Sequence, residues 1–174
     1  FMAKITDVVV RYLRGQVEAG AQVVQLFDSW IGILSPAQYE NYVMPYSQRI
    51  FDEVQGMGVP SVHFGTGASA LLELMAATGC DLVSVDWRVP LDQAWARIGH
   101  SKGIQGNLDP TMLLAPFEVT EKGAADILTR AAGRPGHIFN LGHGVLPRTN
   151  PADLARLVAY VHQETSETLT ARDQ

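Results

Sequence analysis

Five short apolar runs in this chain each end on a polar group, and each is followed by a segment with helical spacing. They are Gln25-Leu26-Phe27-Asp28-Ser29, Val62-His63-Phe64-Gly65, Val83-Ser84-Val85-Asp86-Trp87, Ile104-Gln105-Gly106-Asn107 and Ile138-Phe139-Asn140-Leu141-Gly142-His143. Apolar runs of this length read as strands buried on both faces, the habit of parallel sheets covered by crossover helices. A buried strand that finishes on Asp28 and Ser29 opens at that end onto a ligand, a neighbour or water. The repetition predicts an α/β fold with polar groups gathered at the C-terminal ends of parallel strands.

Local signals place the elements. Ile5, Val8, Val9, Tyr12, Leu13 and Val17 predict a helix over 5–19, stopped at Gly20. Strands are predicted over 22–27, 60–64, 82–86, 102–106 and 137–141. Ser35-Pro36-Ala37-Gln38 joins a Ser N-cap, a Pro at the first helical position and a Gln that reaches back. The helix it starts runs toward Gly56, kinked or restarted at Pro45. Further helices are predicted over 68–78, 91–98, 120–132 and 151–168, with a short one after Asp109-Pro110. The polar tail from Thr168 to Gln174 is expected to fray. With no internal repeat and no linker, residues 1–174 read as one domain.

Two architectures share this alternation: an open doubly wound sheet and a (β/α)8 barrel. A dinucleotide fold needs a glycine-rich turn after its first strand, where this chain has Asp28-Ser29-Trp30-Ile31-Gly32. Polar residues at every strand end suit the barrel, whose sites are built there. A barrel has eight strands and five are visible, so the chain reads as the C-terminal five βα units of a TIM barrel with three N-terminal strands missing.

Composition narrows the function classes. The 13 basic residues are scattered and the net charge is −5, which argues against a nucleic-acid partner. No apolar run approaches the roughly 20 residues that span a bilayer. The opening Phe1-Met2-Ala3-Lys4 lacks the pattern of a secretory signal. The single Cys80 reads as a buried thiol and points to a reducing, cytoplasmic setting.

Several segments together resemble the C-terminal half of the uroporphyrinogen decarboxylase family. They are Glu18-Ala19-Gly20-Ala21-Gln22 running into Phe27-Asp28-Ser29-Trp30, then Leu34-Ser35-Pro36, Pro45-Tyr46 and Val85-Asp86-Trp87. Gln105-Gly106-Asn107-Leu108-Asp109-Pro110 and Asn140-Leu141-Gly142-His143-Gly144, with Pro147, are the most specific. The resemblance implies a (β/α)8 barrel, usually a homodimer, that removes carbon dioxide from the four acetate side chains of uroporphyrinogen to give coproporphyrinogen. It implies no cofactor and no metal. It assigns Ser29 and His143 to substrate carboxylates. The family's arginine-rich N-terminal segment, pyrrole-binding aspartate and tyrosine lie upstream of the matched region. Arg11-Tyr12-Leu13-Arg14 lies in the first helix and does not replace them. Gly65 stands where many members carry a lysine.

Such chemistry needs a site that holds a polyanion, stabilises a positive ring and supplies a proton. Of these needs this chain is expected to supply hydroxyl and imidazole groups only, and none of its residues is assigned to catalysis itself. Asp86, Asn107 and Asp109 are expected to be structural, as strand-end caps and bridges. His100, His137 and His162 are expected on the surface or in loops. A rival on the same barrel is a corrinoid-dependent methyltransferase, whose zinc site takes a His-x-Cys and a later Cys. His63-Phe64-Gly65 has glycine at the first Cys position, and Cys80 precedes a strand rather than following one. A further alternative is a non-catalytic half-barrel whose open edges self-associate or pair with the missing half.

Overall fold

A computed structural model describes residues 1–170, with 167–170 as backbone only. Helix α1 (Met2–Glu18) leads into strand β1 (Val24–Phe27), a 3₁₀ turn (Ile31–Ile33), and helices α2 (Pro36–Tyr42) and α3 (Met44–Gln55). Strand β2 (Ser61–Phe64) is followed by a 3₁₀ turn (Ala68–Leu71) that continues as α4 (Leu72–Ala76). Next come β3 (Leu82–Ser84), α5 (Leu91–Ile98), β4 (Gly103–Leu108) and a 3₁₀ turn (Pro110–Leu114). Helix α6 (Phe117–Ala131), strand β5 (His137–Leu141) and helix α7 (Pro151–Thr170) complete the order. The expected frayed tail falls partly in this last helix, and 171–174 lie outside the described residues.

All pairings are parallel and follow chain order, β1-β2-β3-β4-β5. One row across the sheet runs Leu26, His63, Val83, Ile104, His137. A sequential order is that of a barrel wall, whereas a doubly wound sheet reverses direction at a switch point. Curvature agrees. Gln105 Nε2 on β4 donates to Ser84 Oγ on β3 at 3.0 Å and to Gln25 Oε1 on β1 at 3.2 Å. In a flat sheet β1 and β4 stand three strand spacings apart, about 14 Å. Side chains rising from the same face meet across that span because the sheet curls toward them.

The convex face carries the core. Val83, Val85, Ile104 and Leu108 are buried under Tyr39, Phe51, Leu71, Met75, Leu91 and Trp95 from the surrounding helices and turns. A second cluster joins Val10 and Leu13 of α1 to Val24 of β1 and to Ile50 and Val54 of α3. The concave face is partly open: Phe27 is 65% exposed and Ile138 41%.

Local chemistry explains the boundaries. Ser35 forms the capping box, with Gln38 N donating to Ser35 Oγ at 3.3 Å and Ser35 N to Gln38 Oε1 at 2.9 Å. Pro45 restarts the chain rather than kinking it: α2 stops before Val43, and the proline sits in the first turn of α3, where its missing N–H costs nothing. The helix expected over 68–78 begins as a 3₁₀ turn behind left-handed Gly67, which bends the entry. Helix α6 starts at Phe117, directly behind Pro116, and ends at left-handed Ala132, one residue before the expected Gly133.

Trp95 fastens α5 to the sheet. Its ring is 1% exposed and its Nε1 donates to Lys102 O at 2.9 Å. Trp95→Ala is expected to lower unfolding free energy by about 3–5 kcal/mol, read as an earlier midpoint in urea. An unchanged midpoint would remove this ring from the account of the core.

Candidate active site at the strand C-termini

After β1 the chain is tied to its neighbour, with Asp28 N donating to Phe64 O at 2.8 Å. Asp28 Oδ2 accepts from Ser47 Oγ of α3 at 3.2 Å and lies 2.9 Å from His63 Nε2. His63 has no exposed surface; its Nδ1 is 3.3 Å from Thr78 Oγ1, and its ring centroid is 5.0 Å from that of Phe51. This histidine therefore packs, as a strand residue should, and also clamps Asp28. Burial, and then the charge of Asp28, push the neighbouring Tyr39 hydroxyl well above the usual phenol range. With Asp28 held inward, Ser29 is the polar group of this strand end that reaches the cleft.

The turns after β1 and β2 touch backbone to backbone. A Cβ on Gly32 would stand 2.6 Å from the carbonyl carbon of Gly67. Gly65 answers to the same packing, since a Cβ there would come within 2.7 Å of Ile31 Cγ1. The side chain of Ile31 thus occupies the space that a larger residue at position 65 would need.

Asp86, at the end of the third apolar run, organises the middle of the site. Its side chain is 3% exposed. Oδ2 accepts from Gly67 N and from Arg88 Nη1, each at 2.6 Å, and Oδ1 accepts from Arg88 N at 3.0 Å. A buried carboxylate persists when its oxygens are bonded and its charge is paired, as here. Asn107 Nδ2 donates to Asp86 O at 2.9 Å and to Val89 O at 2.6 Å. Asp109 Oδ1 accepts from Thr111 N at 2.8 Å and Oγ1 at 2.7 Å. All three have the structural roles expected of them.

The last strand end closes over this framework. Gly142 N donates to Leu108 O at 2.7 Å, and a Cβ on Gly142 would lie 2.6 Å from Trp87 N. Only glycine lets the loop rest on the Asp86–Trp87 backbone and carry His143 over the mouth of the sheet. The His143 ring stands edge-on to Phe64 with centroids 6.1 Å apart.

Ser29 and His143 line one cleft of about 460 Å³ together with Trp30, Ile33, Thr66 and Arg88. Arg88 adds a guanidinium to a site expected to hold only hydroxyl and imidazole groups. The signal lay in Asp86-Trp87-Arg88, an acid and a base two residues apart at a strand end. The Thr66 hydroxyl is buried without a hydrogen-bond partner. Trp30 and Ile33 are 81% and 80% exposed and form an apolar rim. Hydroxyl, imidazole and guanidinium groups beside such a rim suit an anionic ligand with a broad apolar body. A larger groove of about 700 Å³ opens between α6 and α7 near the start of β5, away from both Ser29 and His143.

The remaining candidates do not converge on the cleft. His100 packs on Trp95 and is exposed, as is His162 on α7. His137 departs from its expected surface position: it begins β5 half-buried, its Nε2 3.0 Å from Gly106 O, and burial lowers its pKa. Cys80 is fully buried two residues before β3, at the opposite end of the sheet from the cleft, and burial raises the pKa of its thiol. Among the described residues, no group of three or more His, Cys, Asp and Glu side chains could hold a metal ion.

The family model for uroporphyrinogen decarboxylase (URO-D) matches residues 1–164. Uroporphyrinogen decarboxylase of Streptomyces coelicolor is 52% identical over 163 residues, covering 94% of this chain and 46% of that protein. The protein of the same name from Carboxydothermus hydrogenoformans is 50% identical over 165 residues, 95% of this chain and 47% of its own length. The chain thus spans about half the length of the curated relatives it matches. A solved methyltransferase from Methanosarcina mazei superposes with a TM-score of 0.80 over 91% of this chain and 47% of that one, at 22% identity, and so shares the fold. The parallel wall in barrel order, the motifs at its strand ends and these matches agree, and the chain belongs to the uroporphyrinogen decarboxylase family.

Proposed function

We propose that this chain forms the C-terminal part of an enzyme that decarboxylates the acetate side chains of uroporphyrinogen to give coproporphyrinogen, with Ser29 and His143 receiving substrate carboxylates. The observation that carries the reading is the convergence of these two residues, from opposite ends of the chain, on one cleft. Family membership supports the reaction class.

In each step a proton adds to a pyrrole carbon adjacent to the one that bears the acetate, leaving a ring cation. The bond between the acetate methylene and its carboxylate then breaks. The electron pair neutralises the ring as an exocyclic double bond, and carbon dioxide leaves. Protonation of that methylene gives a methyl group, and loss of the added ring proton restores the pyrrole. This cleft supplies the anchoring half of the work. A hydroxyl and an imidazole hold carboxylates through hydrogen bonds that are stronger for the charged acceptor. Imidazoles as a class exchange protons near neutral pH, which suits the step that needs one. The groups that hold the pyrrole nitrogens come, in this reading, from the half of the family's length that this chain does not include. The acting form is a cytoplasmic homodimer of the complete barrel.

In the natural gene product, Ser29→Ala and His143→Ala are each expected to lower kcat/KM for uroporphyrinogen roughly tenfold or more, since each removes a hydrogen bond to a charged group. Chromatography of the oxidised porphyrin products measures this; wild-type rates in both variants would sink the assignment. Gly142→Ala is expected to act similarly without touching substrate, by lifting the His143 loop off Trp87. Its thermal midpoint should fall by only a few degrees while turnover collapses; retained turnover would show that the loop tolerates the displacement.

The open concave face, with Phe27 and Ile138 exposed, favours a second property of this 174-residue chain by itself. Strands β1 and β5 each have one unpaired edge in the described sheet, and such edges recruit further strands. Multi-angle light scattering of the purified chain should show dimers or larger species, with little uroporphyrinogen turnover; a clean monomer would contradict this.

A further inference from the structure

We propose that Arg88 is a third substrate-binding residue of this cleft, presenting a fixed guanidinium to one carboxylate of the tetrapyrrole. The inference rests on the functional reading above and goes beyond it, because neither the family's motif residues nor the sequence reading assigned this side chain a role.

Four observations carry it. First, Arg88 lines the cleft of Ser29 and His143, and it also borders an adjoining cleft of about 350 Å³ that runs toward Asn107 and Asp109. Second, the guanidinium is held on two sides: Nη1 donates to Asp86 at 2.6 Å, and Cζ lies 4.3 Å from the Trp87 ring centroid. A cation clamped at one edge and stacked on one face has lost most of its rotamer freedom before any ligand arrives. Third, the pair is asymmetric. Asp86 is 3% exposed but the Arg88 side chain is 47% exposed, so its remaining donors face outward. Asp86 also accepts from Gly67 N and Arg88 N, so its charge is shared among three donors and leaves the guanidinium able to attract a second anion. Fourth, Arg14, Arg49, Arg97 and Arg130 make ion pairs with exposed acids on the outer helices; of these four Arg130 borders the adjoining cleft, yet both its acids, Asp92 and Asp126, are exposed. Arg88 alone of these ion-paired arginines is anchored by a buried acid at the site.

A substrate carrying many carboxylates around a flat ring is the chemistry that recognises such a group. The planar fork of arginine accepts a carboxylate through two parallel N–H donors, which a lysine cannot reproduce. In this arrangement Asp86 is a positioning residue and Arg88 the one that touches substrate.

The test uses the natural gene product with Arg88→Gln and Arg88→Lys. Two readouts are paired: steady-state kinetics with uroporphyrinogen, and equilibrium binding of oxidised uroporphyrin followed by fluorescence quenching. The expected result for Arg88→Gln is a KM and a uroporphyrin Kd raised roughly tenfold or more, with kcat changed far less; its thermal midpoint falls as well, because buried Asp86 loses its charge partner, and Arg88→Lys, which keeps that charge, separates the loss of the fork from the loss of the fold. Arg88→Lys should recover part of the affinity. Added salt should weaken wild-type binding more than it weakens binding by Arg88→Gln. Equal Kd and KM in wild type and Arg88→Gln would overturn the inference while leaving the decarboxylase reading in place. So would a loss in kcat alone with unchanged Kd. Arginine-dependent uroporphyrin binding without turnover would support the inference and overturn the decarboxylase reading. A wild-type protein that neither binds uroporphyrin nor turns over uroporphyrinogen would overturn both.

Discussion

Gln105 reaches across the concave face to Ser84 and Gln25, and the geometry that allows those bonds underlies the rest of the molecule. Strands β1 and β4 bring side chains together only because the sheet curls. The same curl swings the turn after β1 and the loop after β5 toward one another, so that Ser29 and His143 border one cleft. In an open, slightly twisted sheet these strand ends would lie along a line, the outermost about 19 Å apart. Curvature is thus the step between a set of polar strand ends and a site. Parallel pairing in chain order produces it, because each right-handed crossover lays its helix on the same convex face and leaves the concave one for ligands.

Within that frame, buried polar groups do the local positioning. Asp28 is held by Ser47 and His63, and Asp86 by two backbone N–H groups and a guanidinium. Both acids end apolar runs, yet both turn away from open solvent and set the course of the loops. Glycines set the distances between those loops. Gly32 lies against Gly67, and Gly142 against Trp87, at separations no Cβ would permit. The site is therefore assembled by backbone contact beneath and by side chains above, which is why a change at Gly142 reaches His143 without altering any ligand-binding group.

The elements with strong local signals were legible from the residues. The Ser35 capping box, the break at Pro45, the five strands and the cap at Asp109 all depend on interactions within a few residues. Boundaries shifted where a neighbour intervened. The start of α4 became a 3₁₀ turn because Gly67 is drawn onto Asp86. His137, expected at the surface, is half-buried because its ring bonds the neighbouring strand at Gly106 O. The bond between His63 and Asp28 also had no local sign, since its partners lie 35 residues apart in the chain.

The sequence by itself determined the alternation of strand and helix, the gathering of polar groups at one end of each strand, and through its motifs the family. Those properties follow from periodicity, capping and residue order, which act at short range. A barrel wall was expected, but only the tertiary structure decided which side chains its curl brings together: that Gln105 meets Gln25, that Ser29 and His143 border one cleft, and that Arg88 joins them on a buried acid. The reason is physical: a curl, a cleft and a buried ion pair are made by residues distant in the chain, and their energies exist only once strands pair and helices close the convex side.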